Sequence, residues 1–553
     1  MNDLTSKLKD VIKVALKDAF NLEDQDSIIA IEIPKEKTHG DYSSNIAMRL
    51  ARVLHKSPSE IANILKVELE KSSLITKVEV AGPGFINLFI NQDSITKVIK
   101  DILTLKEKYG QTNFGNNEKV MVEYVSANPT GDLHLGHARG AAYGDTLTRV
   151  LSFVGYDVLR EYYVNDAGNQ IETLGNSLYE RYREALHLSF DLSKIGYQGK
   201  DVIKLANDIA KQDEDRWVDD DSIERKDYFK KVGTKLELDK IKADLDLYRV
   251  HFDHYQSELD LYRSGKVEKT LEDLKKTPYT YENEGALWLR TTDFGDDKDR
   301  VLVKKDGSLT YFTPDIAYHT DKFNRGYPHL IDILGADHHG YIARIKAGIK
   351  IMGNNPDDLE VKIIQIVRLM ENGEEVKMSK RTGNAVTIRE LCKDVGVDVA
   401  RYFFISKPII SHLDFDLNLA RDQSNKNPVY YIQYAFARMN SILKKDNSFV
   451  LKDSYPLLTD EKEINLIKHL NELPNLLIDV AKVKEVNILA NYSYKLAQYF
   501  HLFYNDLVVI DKDNKELTEE RLSLVKACSI VLKTVLNLLG VEAKESMWYD
   551  RAL

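Results

Sequence analysis

Only two cysteines, Cys392 and Cys528, occur in 553 residues. They stand far apart, which excludes a disulfide framework and any Cys-x-x-Cys zinc site and fits a reducing compartment. Long apolar runs are missing as well: no stretch approaches the ~20 residues that a bilayer-spanning helix needs. The opening "MNDLTSKLKDVIKVALKDAF" alternates charges through its apolar positions. It therefore reads as an amphipathic helix rather than a secretory signal, and a cytoplasmic protein with no membrane partner is expected. Positive charge is not in excess either. With 77 Lys and Arg against 87 Asp and Glu, the net charge is −10, so bulk charge advertises no nucleic-acid partner, although a local basic groove stays open. Internal repeats and low-complexity tracts are absent. What is present is a hydrophobic content of 43% and a charged content of 30%, those of a globular protein. A chain of this length suggests roughly two to four domains.

The pattern of apolar residues changes along the chain. Residues 1–92 combine helical periodicity ("SNIAMRLARVL", "PSEIANILKVELEK") with an "IIAIEI" strand at 28–33 and the strand pair "ITKVEVAGPGFINLFI", which predicts a small α+β domain. A linker helix over 93–118 follows. From 119 the continuous apolar strands "VMVEYV", "DVLREYYV" and "VKIIQIV", separated by helical stretches, predict a doubly wound parallel sheet of Rossmann type extending to 410. Polar, charge-rich helical sequence at about 177–290 reads as an insertion in it. Over 411–553 amphipathic helices replace strands, predicting an all-α bundle. The expected fold is thus a multidomain α/β protein.

Two short stretches carry chemistry. "SANPTGDLHLGH", residues 126–137, follows the apolar strand "VMVEYV" and places turn residues and then a helix start where a doubly wound sheet binds ligands. Free amides and the positive dipole end at such a helix start suit phosphate, with His134 and His137 as further donors and Gly136 letting a flat ring approach the backbone. An ordinary pair of helix-start histidines fits the isolated pattern equally, and a shared metal fits it less well, since no third ligand is near. "EEVKMSKRTGN", residues 374–384, puts two lysines and Ser379 in a Gly-bounded loop after the strand "VKIIQIV" and a hairpin-like "RLMENGEE". Such a loop can close on a triphosphate, with Lys377 and Lys380 opposing the charge that builds up on the leaving group; the alternative is an exposed basic turn.

Together and in this order the two stretches resemble the HIGH and KMSKS signatures of class I aminoacyl-tRNA synthetases, as His134-Leu135-Gly136-His137 and Lys377-Met378-Ser379-Lys380-Arg381. Arg381 stands where the signature ends in Ser. Within the class, "VEYVSANPTGDLHLGHARGAAYGDTLTRVLSFVGYDVLREYYVNDAGNQI" is similar to arginyl-tRNA synthetases. So are "HGDYSSNIA" and "GPGFINL" in the N-terminal domain, "TYFTPDIAYH" and "GADHHGY" in the catalytic sheet, and "NPVYYIQYAFAR" and "LLGVEAKESM" in the helical domain. Asp132 departs from the bacterial pattern, which usually has Pro there, and an added carboxylate beside the nucleotide site would weaken phosphate binding.

The resemblance implies an arginine-tRNA ligase that joins L-arginine to ATP as an adenylate, then to the 3′ end of tRNA(Arg). ATP is expected to enter with Mg²⁺, no structural metal is expected, and the chain is taken to act as a monomer. Catalysis falls to His134, His137, Lys377 and Lys380. ATP binding falls to Gly131, His134, Gly136, His137, Gly335, Asp337, His338, Met378, Ser379 and Lys380. Arginine binding falls to Glu123, Asn128, His134, Tyr311, Asp315 and His339. The reaction needs positioning and neutralisation of phosphate charge rather than a protein nucleophile, and the substrate guanidinium needs carboxylates. Glu123 interrupts an apolar strand, where a buried charge calls for a cation; the substrate or an internal partner such as Arg160 would serve. Asp315 follows "LTYFTP" at another expected strand end. Residues 1–92 would contact tRNA. The 411–553 segment, with 18 basic and 20 acidic residues, would read the anticodon without help from bulk charge.

Overall fold

A computed structural model describes residues 4–23, 27–34, 37–218, 220–336, 340–376 and 385–547. The chain divides into two compact units, one of Gly115–Ser152 with Tyr156–Asp422, the other of Met1–Phe114, Phe153–Gly155 and Gln423–Leu553.

The first unit is built on a five-stranded sheet. Its strands are β1 (Lys119–Glu123), β2 (Asp157–Val164), β3 (His254–Ser257), β4 (His329–Gly335) and β5 (Leu359–Ile364), and the helices that bear on the pocket are α1 (Leu135–Phe153), α2 (Phe312–Asn324) and α3 (Tyr341–Ile351). Every pairing is parallel and the spatial order is β5-β4-β1-β2-β3. β1 is buried from Val120 to Glu123, so its sequence is a continuous apolar run broken only by its last residue. The strand order reverses between β1 and β4, and the crevice beyond the carboxyl ends of those two strands is where such sheets take ligands. α1 is enclosed on all sides from Ala138 to Thr148, and a side chain at Gly144 would overlap the Tyr124 ring.

The expected insertion is narrower than 177–290. Helices Asn169–Ala185, Lys200–Asp213 and Ile223–Leu247 enclose their own apolar cluster around Leu174, Tyr182, Trp217 and Phe229, but His254–Ser257 then returns to the main sheet as β3. Strand structure also persists past 411, since Leu413–Asp416 pairs with Val367–Glu371, the first arm of the expected "RLMENGEE" hairpin.

In the second unit a three-stranded antiparallel sheet (Tyr42–Ser44, Phe85–Ile90, Ile75–Ala81) packs with the helices Ile46–Leu54 and Pro58–Leu69. The strand expected at 28–33 reduces to a single bridge between Glu32 and Ser43. The segment read as a linker contains helix Gln92–Leu105, whose buried face of Ile95, Val98, Ile99 and Ile102 lies in a unit with the C-terminal helices and contacts Glu461–Val483 and Lys515–Leu539. Helix Lys515–Leu539 is long and apolar enough to cross a membrane, contrary to the sequence reading. However, 78% of its most apolar window is buried within the protein, as a core helix requires.

Candidate active site

At the switch point between β1 and β4 lies a cavity of about 1000 Å³. Its walls come from the chain after β1 (Glu123, Val125–Asn128), the start of α1 (His134–His137, Gly140), α2 (Asp315, Tyr318, His319), the end of β4 (Asp332–Ala336) and the rim residues Val376 and Ala385. Val125 and Ser126 both adopt left-handed backbone, with φ of 67° and 42°. For a β-branched residue this is strained, and strain of this kind gathers at ligand sites.

The histidines occupy the helix start. Gly136 donates its backbone N–H to His134 Nδ1 at 3.1 Å, and the His134 N–H reaches His137 Nδ1 at 3.3 Å. The two rings stack with centroids 3.8 Å apart. Burial, aided by His134, pushes the His137 imidazole down to about 3, and burial lowers His134 as well. Both rings are therefore neutral at pH 7, and with each Nδ1 accepting, each carries its proton on Nε2 as a donor. A Cβ at Gly136 would press on the His134 ring at 3.1 Å, so glycine is what lets that imidazole fold over the backbone. Gly131 lies in open space and does not line the cavity.

Across the floor, register sets Asp332 beside Glu123 and Glu123 beside Glu161, a row of three acids along β4, β1 and β2. Like charges side by side repel. α2 lies against this row and supplies the cations. Lys322 Nζ is 2.5 Å from Glu123 Oε2 and 2.8 Å from Asp332 Oδ1, while Arg325 takes both oxygens of Glu161 at 2.6 and 2.7 Å. His319 bridges Asp332 Oδ2, at 2.7 Å, to the Asp315 carbonyl, at 2.8 Å. Lys322 and its neighbours hold Asp332 well below the usual carboxylate range despite its burial. Glu123 thus has an internal cation. It is Lys322 rather than Arg160, whose partner is Asp253, and Ser126 Oγ donates to its other oxygen at 3.1 Å.

Asp315 is different. It sits in the first turn of α2, not at a strand end, because Phe312–Asn324 is helical and Tyr311, 69% exposed, precedes it. Burial raises its carboxyl to about 7, and no hydrogen bond reaches it from the described residues. Asn128 is exposed on the rim and donates to Gln170 at 3.2 Å. Gly335 lines the cavity. The predicted residues Lys377, Met378, Ser379, Lys380, Asp337, His338 and His339 lie outside the described residues. Asp132 turns toward Lys240, at 3.4 Å, and lines a separate cavity of about 470 Å³.

Three family profiles match consecutive parts of the chain: the arginyl tRNA synthetase N-terminal domain over 6–90, the class I (R) tRNA synthetase catalytic domain over 98–405, and the DALR anticodon binding domain over 432–547. The chain is 50% identical to arginine–tRNA ligase 1 of Halalkalibacterium halodurans, over 99% of its length and 100% of that protein. The chain belongs to the arginyl-tRNA synthetase family. An arginine–tRNA ligase of Bacillus subtilis is 49% identical with the same coverage. A solved structure of a Campylobacter jejuni protein titled as an arginyl-tRNA synthetase superposes with a TM-score of 0.75 at 35% identity, covering 83% of this chain and all of that one. The arginyl-tRNA synthetase from Thermus thermophilus shares the fold, with a TM-score of 0.77 at 21% identity over 98% of this chain and all of that one.

Sequence reasoning missed much of the synthetase floor. Asp332 interrupts "LIDILG" as Glu123 interrupts "VMVEYV", and Asp315, His319 and Lys322 fall four and three residues apart on one helical face. Those two signals were available in the sequence.

Proposed function

We propose that this cavity is where the arginine–tRNA ligase activates arginine. Asp315 and Glu123 receive the guanidinium, assisted by Tyr311, and Asn128, His134 and His339 hold the amino-acid end. An arginine carboxylate oxygen attacks the α-phosphorus of ATP, the bond to the β-phosphate oxygen breaks, and diphosphate leaves. Magnesium enters with ATP and neutralises charge on the β- and γ-phosphates. His134 and His137 donate from Nε2 to phosphate oxygens. Gly335, Asp337 and His338 hold the nucleoside, and Met378, Ser379, Lys377 and Lys380 meet the triphosphate. A terminal ribose hydroxyl of tRNA(Arg) then attacks the acyl carbon and AMP departs. Residues 1–92 contact the tRNA and 411–553 read its anticodon. The enzyme works as a cytoplasmic monomer in protein synthesis.

The observation that carries this reading is the pairing, in one cavity, of a carboxylate at Asp315 that has no hydrogen-bond donor among the described residues with neutral imidazole donors at a helix start. The first suits a planar cation and the second a phosphate. Its test is charging of total tRNA with each of the twenty amino acids in turn, with ATP and Mg²⁺. Arginine alone should be charged. Charging of another amino acid would show that Glu123 and Asp315 do not select a guanidinium.

A further inference from the structure

Lys322 sits 7 residues beyond Asp315 on α2 and is 0% exposed, so it meets neither solvent nor substrate. Its ammonium fills the gap between two acids that register forces side by side, and it lies 4.3 Å above the Tyr318 ring, a cavity wall. A buried lysine without anions would lose its proton, and two buried carboxylates without a cation would share one. Neither partner can hold its charge alone.

The consequence concerns which acids a ligand can meet. Both oxygens of Asp332 are occupied, by Lys322 and His319, and Glu123 gives one oxygen to Lys322 and the other to Ser126. Four acids line the cavity: Glu375 is exposed, and of the buried or half-buried three, Glu123, Asp315 and Asp332, only Asp315 has no donor among the described residues. We infer that Lys322 is a positioning residue for arginine recognition: it fixes Glu123 as an ionised, oriented acceptor and leaves Asp315 as the carboxylate whose charge the guanidinium meets. The inference rests on the arginine subsite proposed above.

Lys322→Met keeps the volume and removes the charge. Glu123 and Asp332 then share a proton, Glu123 loses its orientation, and the KM for arginine should rise by about tenfold or more while the KM for ATP stays within about twofold. Asp332→Asn, which weakens the other anchor of the ammonium, should raise the arginine KM in the same sense by a smaller factor. If Lys322→Met does not fold, Asp332→Asn decides alone. An unchanged arginine KM in the folded variants, or equal rises for arginine and ATP, would overturn the inference. Asp315→Asn is the control for the subsite itself: if that variant leaves the arginine KM unchanged, the subsite reading has failed, whatever Lys322 does.

Discussion

Glu123 and Asp315 line the same cavity, yet one is tied into a buried lattice of ion pairs and the other stands without a donor among the described residues. Desolvation holds the Asp315 carboxyl at about 7, so in the ligand-free enzyme it is ionised above that pH and neutral below it. The ionised form is the one that attracts a guanidinium. On lowering the pH from 8 to 5, kcat/KM for arginine should therefore be level at first and then fall by about tenfold per pH unit below about 7. Asp315→Asn should abolish this limb and raise the arginine KM by about tenfold or more, because a charge-assisted bond is lost. A pH profile of the variant that keeps the wild-type limb would assign the ionisation elsewhere. Both acids were legible in the sequence as charges beside apolar runs. The lysine that neutralises Glu123 was not, because it lies 199 residues away and only the packing of α2 on the sheet brings them together.

At the scale of elements, α1 ties the helix start that bears His134 and His137 to the first strand. Its close approach depends on Gly144, whose missing side chain admits the Tyr124 ring. Gly144→Ala should push helix and strand apart, lowering stability by about 1–3 kcal/mol in chemical denaturation, and kcat should fall as the imidazoles shift. Unchanged stability would show that the contact relaxes without cost. Strands β1, β2 and β5 were readable from their runs of apolar and β-branched residues, which a parallel sheet covered on both faces calls for. β3, with the sequence "HYQS", carries no such signal in four residues, so it was absorbed into the helical insertion. "LTYFTP" looked like a strand by composition, but Pro314 and Asp315 in the first turn suit a helix start, and the helix won. The "IIAIEI" run, with one bridging partner, could not become a strand whatever its propensity.

The whole molecule has two compact units, and the cavity belongs to only one of them. Arginine at a hundred times its Kd should stabilise the unit containing Gly115–Ser152 and Tyr156–Asp422 by about 2.7 kcal/mol. Scanning calorimetry should show one transition moving up with arginine while the other stays in place. If a single transition moves as one, the units unfold together. Length and composition implied several domains, but no sequence pattern revealed that the two chain ends share a unit. The contacts that do it, such as Tyr109 OH donating to the Leu470 carbonyl at 3.0 Å, have no periodicity to read. The same feature sets a schedule for the newborn chain. Helix Gln92–Leu105 emerges from the ribosome about 360 residues before the first of the helices that cover it begins, a delay of roughly 18–72 s at ~5–20 residues per second. For that interval its apolar face lacks those partners, and the catalytic sheet is made in full before they arrive.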